Sequence, residues 1–166
     1  MNALSSAVNQ ACVAATTARS GRFVADDGIR LSYFLWGTTD TQSPVALHHG
    51  FAASTETNWI ATGVVAALLK AGRSVISIDA RGHGQSDKPH NADRYGEARM
   101  ARDLVGLLDH LDVAEFDLFG YSMGAIVSLI VASADTRLRR LVVGGIGEGV
   151  LVTGGVDLRV MNRDAV

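Results

Sequence analysis

The sequence predicts an α/β fold built on a mostly parallel sheet with flanking helices. Three observations carry that expectation. Short runs rich in β-branched residues alternate with longer stretches whose apolar residues recur at helical spacing. The alternation begins after two strand-like runs joined by Asp26-Asp27-Gly28, a turn signal. Glycines then gather at the strand-to-helix junctions, at Gly50, Gly82, Gly84, Gly120 and Gly124. Those junctions lie at the carboxyl ends of the strands, where open α/β sheets bind their ligands.

Taken in order, residues 22–25 and 29–36 form the predicted hairpin, and 38–44 a polar loop. Residues 45–48 are a short apolar strand that His49-Gly50-Phe51 interrupts. Over 54–70 the residues Trp59, Ile60, Val64, Leu68 and Leu69 predict a helix closed by Gly72. A buried strand over 74–79 contains Val75, Ile76 and Ile78, and a turn-rich loop follows over 80–91. Residues 95–111 are the clearest helix, with Met100, Leu104, Leu107, Leu108 and Leu111 in one stripe and Arg99, Arg102 and Asp103 outside it. A strand over 116–119, a helix over 122–134 and a strand over 141–144 complete the pattern.

A chain of 166 residues, 48% hydrophobic and 19% charged, suits one domain with a continuous core. Fifteen basic against seventeen acidic side chains leave a net charge of −2, without the basic excess of a nucleic-acid binder. Cys12 is the single cysteine, so neither an internal disulfide nor a cysteine-based metal site is expected, and it reads as an incidental thiol. No run reaches the roughly 18 apolar residues of a membrane span. Residues 1–20 carry no charge before Arg19 and so lack the basic start of a secretory signal. The expectation is a cytoplasmic protein with a mobile N-terminal extension over 1–21 and a single domain over 22–166.

The most informative motif is Gly120-Tyr121-Ser122-Met123-Gly124, which fits G-x-S-x-G between a predicted strand and a predicted helix. A nucleophilic serine there sits on a strained turn, and side chains two residues to either side would collide with neighbouring backbone. The helix N-terminus behind it favours negative charge on a bound intermediate. The segment lacks both G-x-G-x-x-G and a phosphate-gripping lysine, which sets a nucleotide-binding module aside.

With His48-His49-Gly50-Phe51, the run Asp79-Ala80-Arg81-Gly82-His83-Gly84-Gln85-Ser86-Asp87, and residues 120–124 in that order, the sequence resembles the α/β-hydrolase family from about Arg22 to Gly147. The resemblance implies Ser122 as the nucleophile, with the backbone N–H groups of Phe51 and Met123 as an oxyanion hole. It implies structural roles for His48 and His49, which precede the hole-forming residue, and for Asp79, Arg81, His83 and Asp87 in a tethered turn. His90 reads as a loop residue, and His110 as a helix-end residue favourable to the macrodipole. Relatives that open epoxides or displace halide place Asp at the nucleophile position, so Ser122 points to attack on a carbonyl. A small-molecule carboxylic ester is the expected substrate, with perhydrolase and C–C bond hydrolase chemistry as alternatives. No cofactor or metal is expected.

The family's order is serine, acid, then histidine, yet no histidine follows Ser122 in this sequence. Acidic residues after it are Asp135, Glu148, Asp157 and Asp164. Glu148 lies just past the strand after which some family members place their acid; a solvated loop charge is the alternative reading. The pattern is that of a hydrolase truncated before its acid and histidine, expected to be silent towards esters on its own. A non-catalytic binding protein is the competing reading. The strand over 141–144 would then be an open edge, offered to a partner chain or to self-association.

Overall fold

In the computed structural model, which describes residues 17–37 and 43–149, the alternation becomes six strands and three α-helices. The strands are β1 (Arg19–Val24), β2 (Arg30–Trp36), β3 (Val45–His48), β4 (Val75–Ile78), β5 (Phe116–Tyr121) and β6 (Leu138–Gly144). The helices are α1 (Val64–Lys70), α2 (Glu97–His110) and α3 (Met123–Ala134), with a π-helical turn over Glu56–Ile60 and a 3₁₀ turn over Ala92–Arg94. The sheet runs β1-β2-β4-β3-β5-β6. Strands β1 and β2 are antiparallel to each other and β2 to β4, while β3, β4, β5 and β6 are mutually parallel. The α/β class and the mostly parallel sheet are as the sequence predicts.

Period-2 alternation in the central strands sorts side chains to two faces. Ala46, Ile76, Ile78 and Leu118 pack with Leu104, Leu107 and Leu108 of α2 and Val127 and Val131 of α3. Val45, Leu47 and Val75 face the other way, against Trp59, Val65 and Trp36. Both faces of β3 and β4 are therefore covered, and all eight of their residues are buried. Each fully buried Leu or Ile contributes roughly 1.5–3 kcal/mol of transfer free energy.

Three boundaries differ from the expectation. Strand β1 starts at Arg19, inside the predicted extension, because ladder pairing from Arg19–Leu35 to Val24–Arg30 outweighs the weak local signal. The single helix predicted over 54–70 is broken. Gly63 takes φ +80° and ends the first segment, and Ala61 N–H reaches the Glu56 carbonyl at 2.9 Å, one residue further than in an α-helix. Strand β6 begins at Leu138, earlier than predicted, because Arg139 and Arg140 at an exposed edge hide its start. Those arginines lie beside Glu115 and Asp117, at 3.6 Å each. The first sixteen residues with Cys12, and Asp157 and Asp164, lie outside the described residues.

Candidate active site

Strand β5 delivers Ser122 to the carboxyl edge of the sheet, and α3 starts at the next residue. Ser122 has φ +53° and ψ −116°, a conformation L-residues avoid at a cost of order 1–3 kcal/mol. Serine is a preferred N-cap because its hydroxyl ordinarily accepts from the helix's first N–H groups. Here it makes no such bond; the Ser122 carbonyl instead takes Ala125 N–H at 2.9 Å, leaving the hydroxyl outside the helix. The Ser122 N–H is anchored to Gly144 O at 2.8 Å, tying the turn to β6.

The flanking glycines explain how the turn fits. A Cβ on Gly124 would drive into the carbonyl of His48, and one on Gly120 into the Gly124 carbonyl and Ser128 Oγ. Helix α3 is thereby pressed against the end of β3, and the loop after β3 is brought over Ser122. A Cβ on Gly50 would lie 3.3 Å from Ser122 Cβ. The next residue, Phe51, is 69% exposed, and Met123 is buried in the core. Among the described residues, no acceptor is paired with the N–H of Phe51 or of Met123.

Two loops are stitched beneath this point. Asp79, 2% exposed, accepts Thr55 N–H at 2.8 Å on one carboxylate oxygen and Gln85 N–H at 2.8 Å on the other. Asn58, placed by the π-helical turn, accepts Gly50 N–H through Oδ1 at 2.8 Å. Arg81 is fully buried and does not pair with Asp79. Its Nε and Nη2 each reach Asp103 at 2.7 Å, and Nη1 donates to Asp27 at 2.8 Å and to Arg94 O at 2.6 Å. Burial works against the guanidinium charge, but Asp103 and Asp27 outweigh it and raise the Arg81 pKa.

His48 and His49 are both buried. Desolvation, helped by repulsion from His49, pushes His48 down to about 3, and desolvation also lowers His49. Above the ordinary value of 6.5 both states are neutral, and below it the unfolded chain takes a proton that His48 refuses until about pH 3. Stability is therefore expected to fall as pH drops through that window, by up to about 1.4 kcal/mol per pH unit for each such histidine. Urea midpoints at pH 7 and at about pH 5 measure this, and His48→Gln should flatten the dependence. An unchanged slope in the variant would contradict the assignment.

The remaining sequence-derived residues fall elsewhere. His83 is half-buried, with its ring 5.2 Å from His49 and 5.7 Å from Phe51. His110 ends α2 and packs on Phe23 and Tyr33, a packing role beyond the dipole argument. Glu148 is exposed beyond β6 and makes no hydrogen bond or ion pair with a described residue. Among the described residues, no histidine or carboxylate bonds the Ser122 hydroxyl. What sequence reasoning missed is Asn58, which ends the polar run Ser54-Thr55-Glu56-Thr57-Asn58 and carries no local signal of its bond to Gly50 N–H. Among the described residues no metal-binding cluster occurs, and no helix is long and apolar enough to cross a membrane.

A strained serine on a tight turn between a parallel strand and a helix, flanked by Gly120 and Gly124, is the arrangement of one class of fold. The chain belongs to the α/β-hydrolase fold family, whose model matches residues 43–160. It is 38% identical over 103 residues to the sn-1-specific diacylglycerol lipase ABHD11 of Mus musculus, covering 61% of this chain and 32% of the lipase. It is 34% identical over 142 residues to a 2-hydroxy-6-oxo-2,4-heptadienoate hydrolase of Pseudomonas putida, covering 84% of this chain and 50% of that enzyme. Epoxide hydrolase A from Mycobacterium thermoresistibile superposes with a TM-score of 0.68 at 28% identity, over 76% of this chain and 39% of its own. The chain thus spans no more than half the length of these relatives.

Proposed function

We propose that this chain carries the nucleophile and oxyanion-binding half of a hydrolase that attacks carbonyl carbon, with a carboxylic ester as the first substrate class. Ser122 Oγ adds to the carbonyl and gives its proton to a general base. The carbonyl oxygen becomes the oxyanion, held by the N–H groups of Phe51 and Met123; collapse of the adduct expels the alcohol, which takes the proton back from the base, and water then releases the acid from the acylated Ser122. The observation that carries this reading is the Ser122 backbone at φ +53°, an expense that a simple strand-to-helix link does not require. The hydrolases among the relatives support the general chemistry, and a serine rather than aspartate at position 122 favours carbonyl substrates over epoxides or haloalkanes. Glu148, exposed just beyond β6, stays a candidate for the orienting acid, with a solvated loop charge as the competing reading. The outer edge of β6, which among the described residues pairs only with β5, is the edge we assign to a partner chain or a second copy.

A fluorophosphonate probe tests the assignment in the complete enzyme, where a general base activates the serine for phosphonylation. Mass spectrometry should find the adduct on Ser122 in that wild-type enzyme and none in Ser122→Ala. Equal labelling of the two proteins would sink the proposal.

A further inference from the structure

The N–H of Phe51 shares a peptide group with the carbonyl of Gly50. In a trans peptide the two point in opposite directions, so whatever holds the Gly50 oxygen also aims the Phe51 N–H. That oxygen lies 2.8 Å from Nδ1 of His49, and it also accepts a longer bond from Ala53 N–H at 3.3 Å. A carbonyl can only accept, so His49 Nδ1 carries a proton. The other ring nitrogen, Nε2, accepts Ala80 N–H at 2.9 Å, so it carries none. His49 is therefore one defined neutral tautomer, fixed from both sides and fully shielded from solvent.

We propose that His49 is a positioning residue that aims the Phe51 N–H at the oxyanion, through the chain Ala80 N–H to Nε2 and Nδ1–H to Gly50 C=O. The inference rests on the reading of Ser122 and Phe51 given above. His49 touches no reacting atom. It transmits the rigid position of the β4 end, itself held by Asp79 and Arg81, to a loop whose tip is exposed. The His83 ring, wedged between His49 and Phe51, has its own Nδ1 bonded to Arg81 O at 2.9 Å and backs the loop from the outer side. The reduced basicity of His49 agrees with this arrangement, because a proton on Nε2 would face the Ala80 N–H.

Three variants separate this role from packing. His49→Asn keeps a donor within reach of the Gly50 oxygen, His49→Gln keeps an acceptor for Ala80 N–H, and His49→Phe keeps neither. In the 166-residue chain, NMR should show wild-type His49 as the neutral Nδ1–H tautomer at pH 7. The Gly50 carbonyl carbon and Phe51 amide nitrogen should shift in His49→Gln and His49→Phe and return towards wild type in His49→Asn. In the complete enzyme, fluorophosphonate labelling should slow by about ten-fold or more in the first two and recover to within about three-fold in His49→Asn, in line with loss of an oxyanion donor. An Nε2–H tautomer or an imidazolium in the wild type overturns the proposal, whether or not a variant folds. So do shifts that are equal in all three variants, or absent from all. Labelling that survives Ser122→Ala overturns the Ser122 reading alone, and the tautomer and shift measurements then decide His49.

Discussion

Gly124→Ala is expected to destabilise the chain by at least about 3 kcal/mol, at the upper end of what one added methyl group costs in a packed interior. The new Cβ meets the carbonyls of His48 and His49. Both belong to backbone whose other contacts fix it, His48 by pairing with Ile78 and Gly120 on its two sides. Relief would require α3 to lift from the sheet, exposing Val127 and Val131, which are buried against it. Against a typical total stability of about 5–15 kcal/mol such a loss is severe. Urea unfolding followed by circular dichroism measures it. Gly147→Ala is the control, since a Cβ there meets nothing within 4 Å, and its effect should stay within about 0.5 kcal/mol. Equal midpoints for the two variants would mean that α3 does not approach β3 as described.

Arg81→Leu is expected to cost about 3–5 kcal/mol, because it leaves a buried carboxylate without its partner. Asp103 is 2% exposed, and its two oxygens meet Nη2 and Nε of Arg81. The double variant Arg81→Leu/Asp103→Leu should recover much of the loss, as apolar pairs often replace buried ion pairs at little cost. Acid supplies a second check. The hydrogen bond from Arg81 holds Asp27 below its ordinary 3.8, so the wild type keeps that contribution above this value and loses it as pH falls through the folded one. The gap between wild type and Arg81→Leu should therefore narrow, by the share that Asp27 contributes, as pH falls below 3.8. A gap that stays constant from neutral to acid would show that the charge pair is not what Arg81 contributes.

The alternation of strands and helices was legible because apolar spacing records it directly, as in the Leu104, Leu107 and Leu108 stripe of α2. Gly120 and Gly124 were legible for a different reason: only the absence of a side chain lets Ser122 sit where it does. Less legible was anything decided between distant segments. Arg81 and Asp79 look like natural partners two positions apart, yet the fold gives Arg81 to Asp27 and Asp103 and leaves Asp79 to backbone N–H groups. His49 reads as a structural residue that packs and hydrogen-bonds beside its loop, but no local pattern announces that its ring will bridge Gly50 and Ala80. The break at Gly63 was hidden because Ile60, Val64 and Leu68 keep i, i+4 spacing across it.

The Arg81 cluster also imposes an order in time. Asp27 and Arg81 are 54 positions apart, and Asp103 lies a further 22 along. Closing such long loops costs entropy before any contact rewards it. On a ribosome the cluster cannot assemble until the hairpin, the β4 loop and the first half of α2 have all emerged. All three segments precede Ser122, so the cluster's parts are available before the Ser122 turn is made. Because it joins three distant segments, the cluster is a latch that holds the finished domain shut more than it hastens its formation.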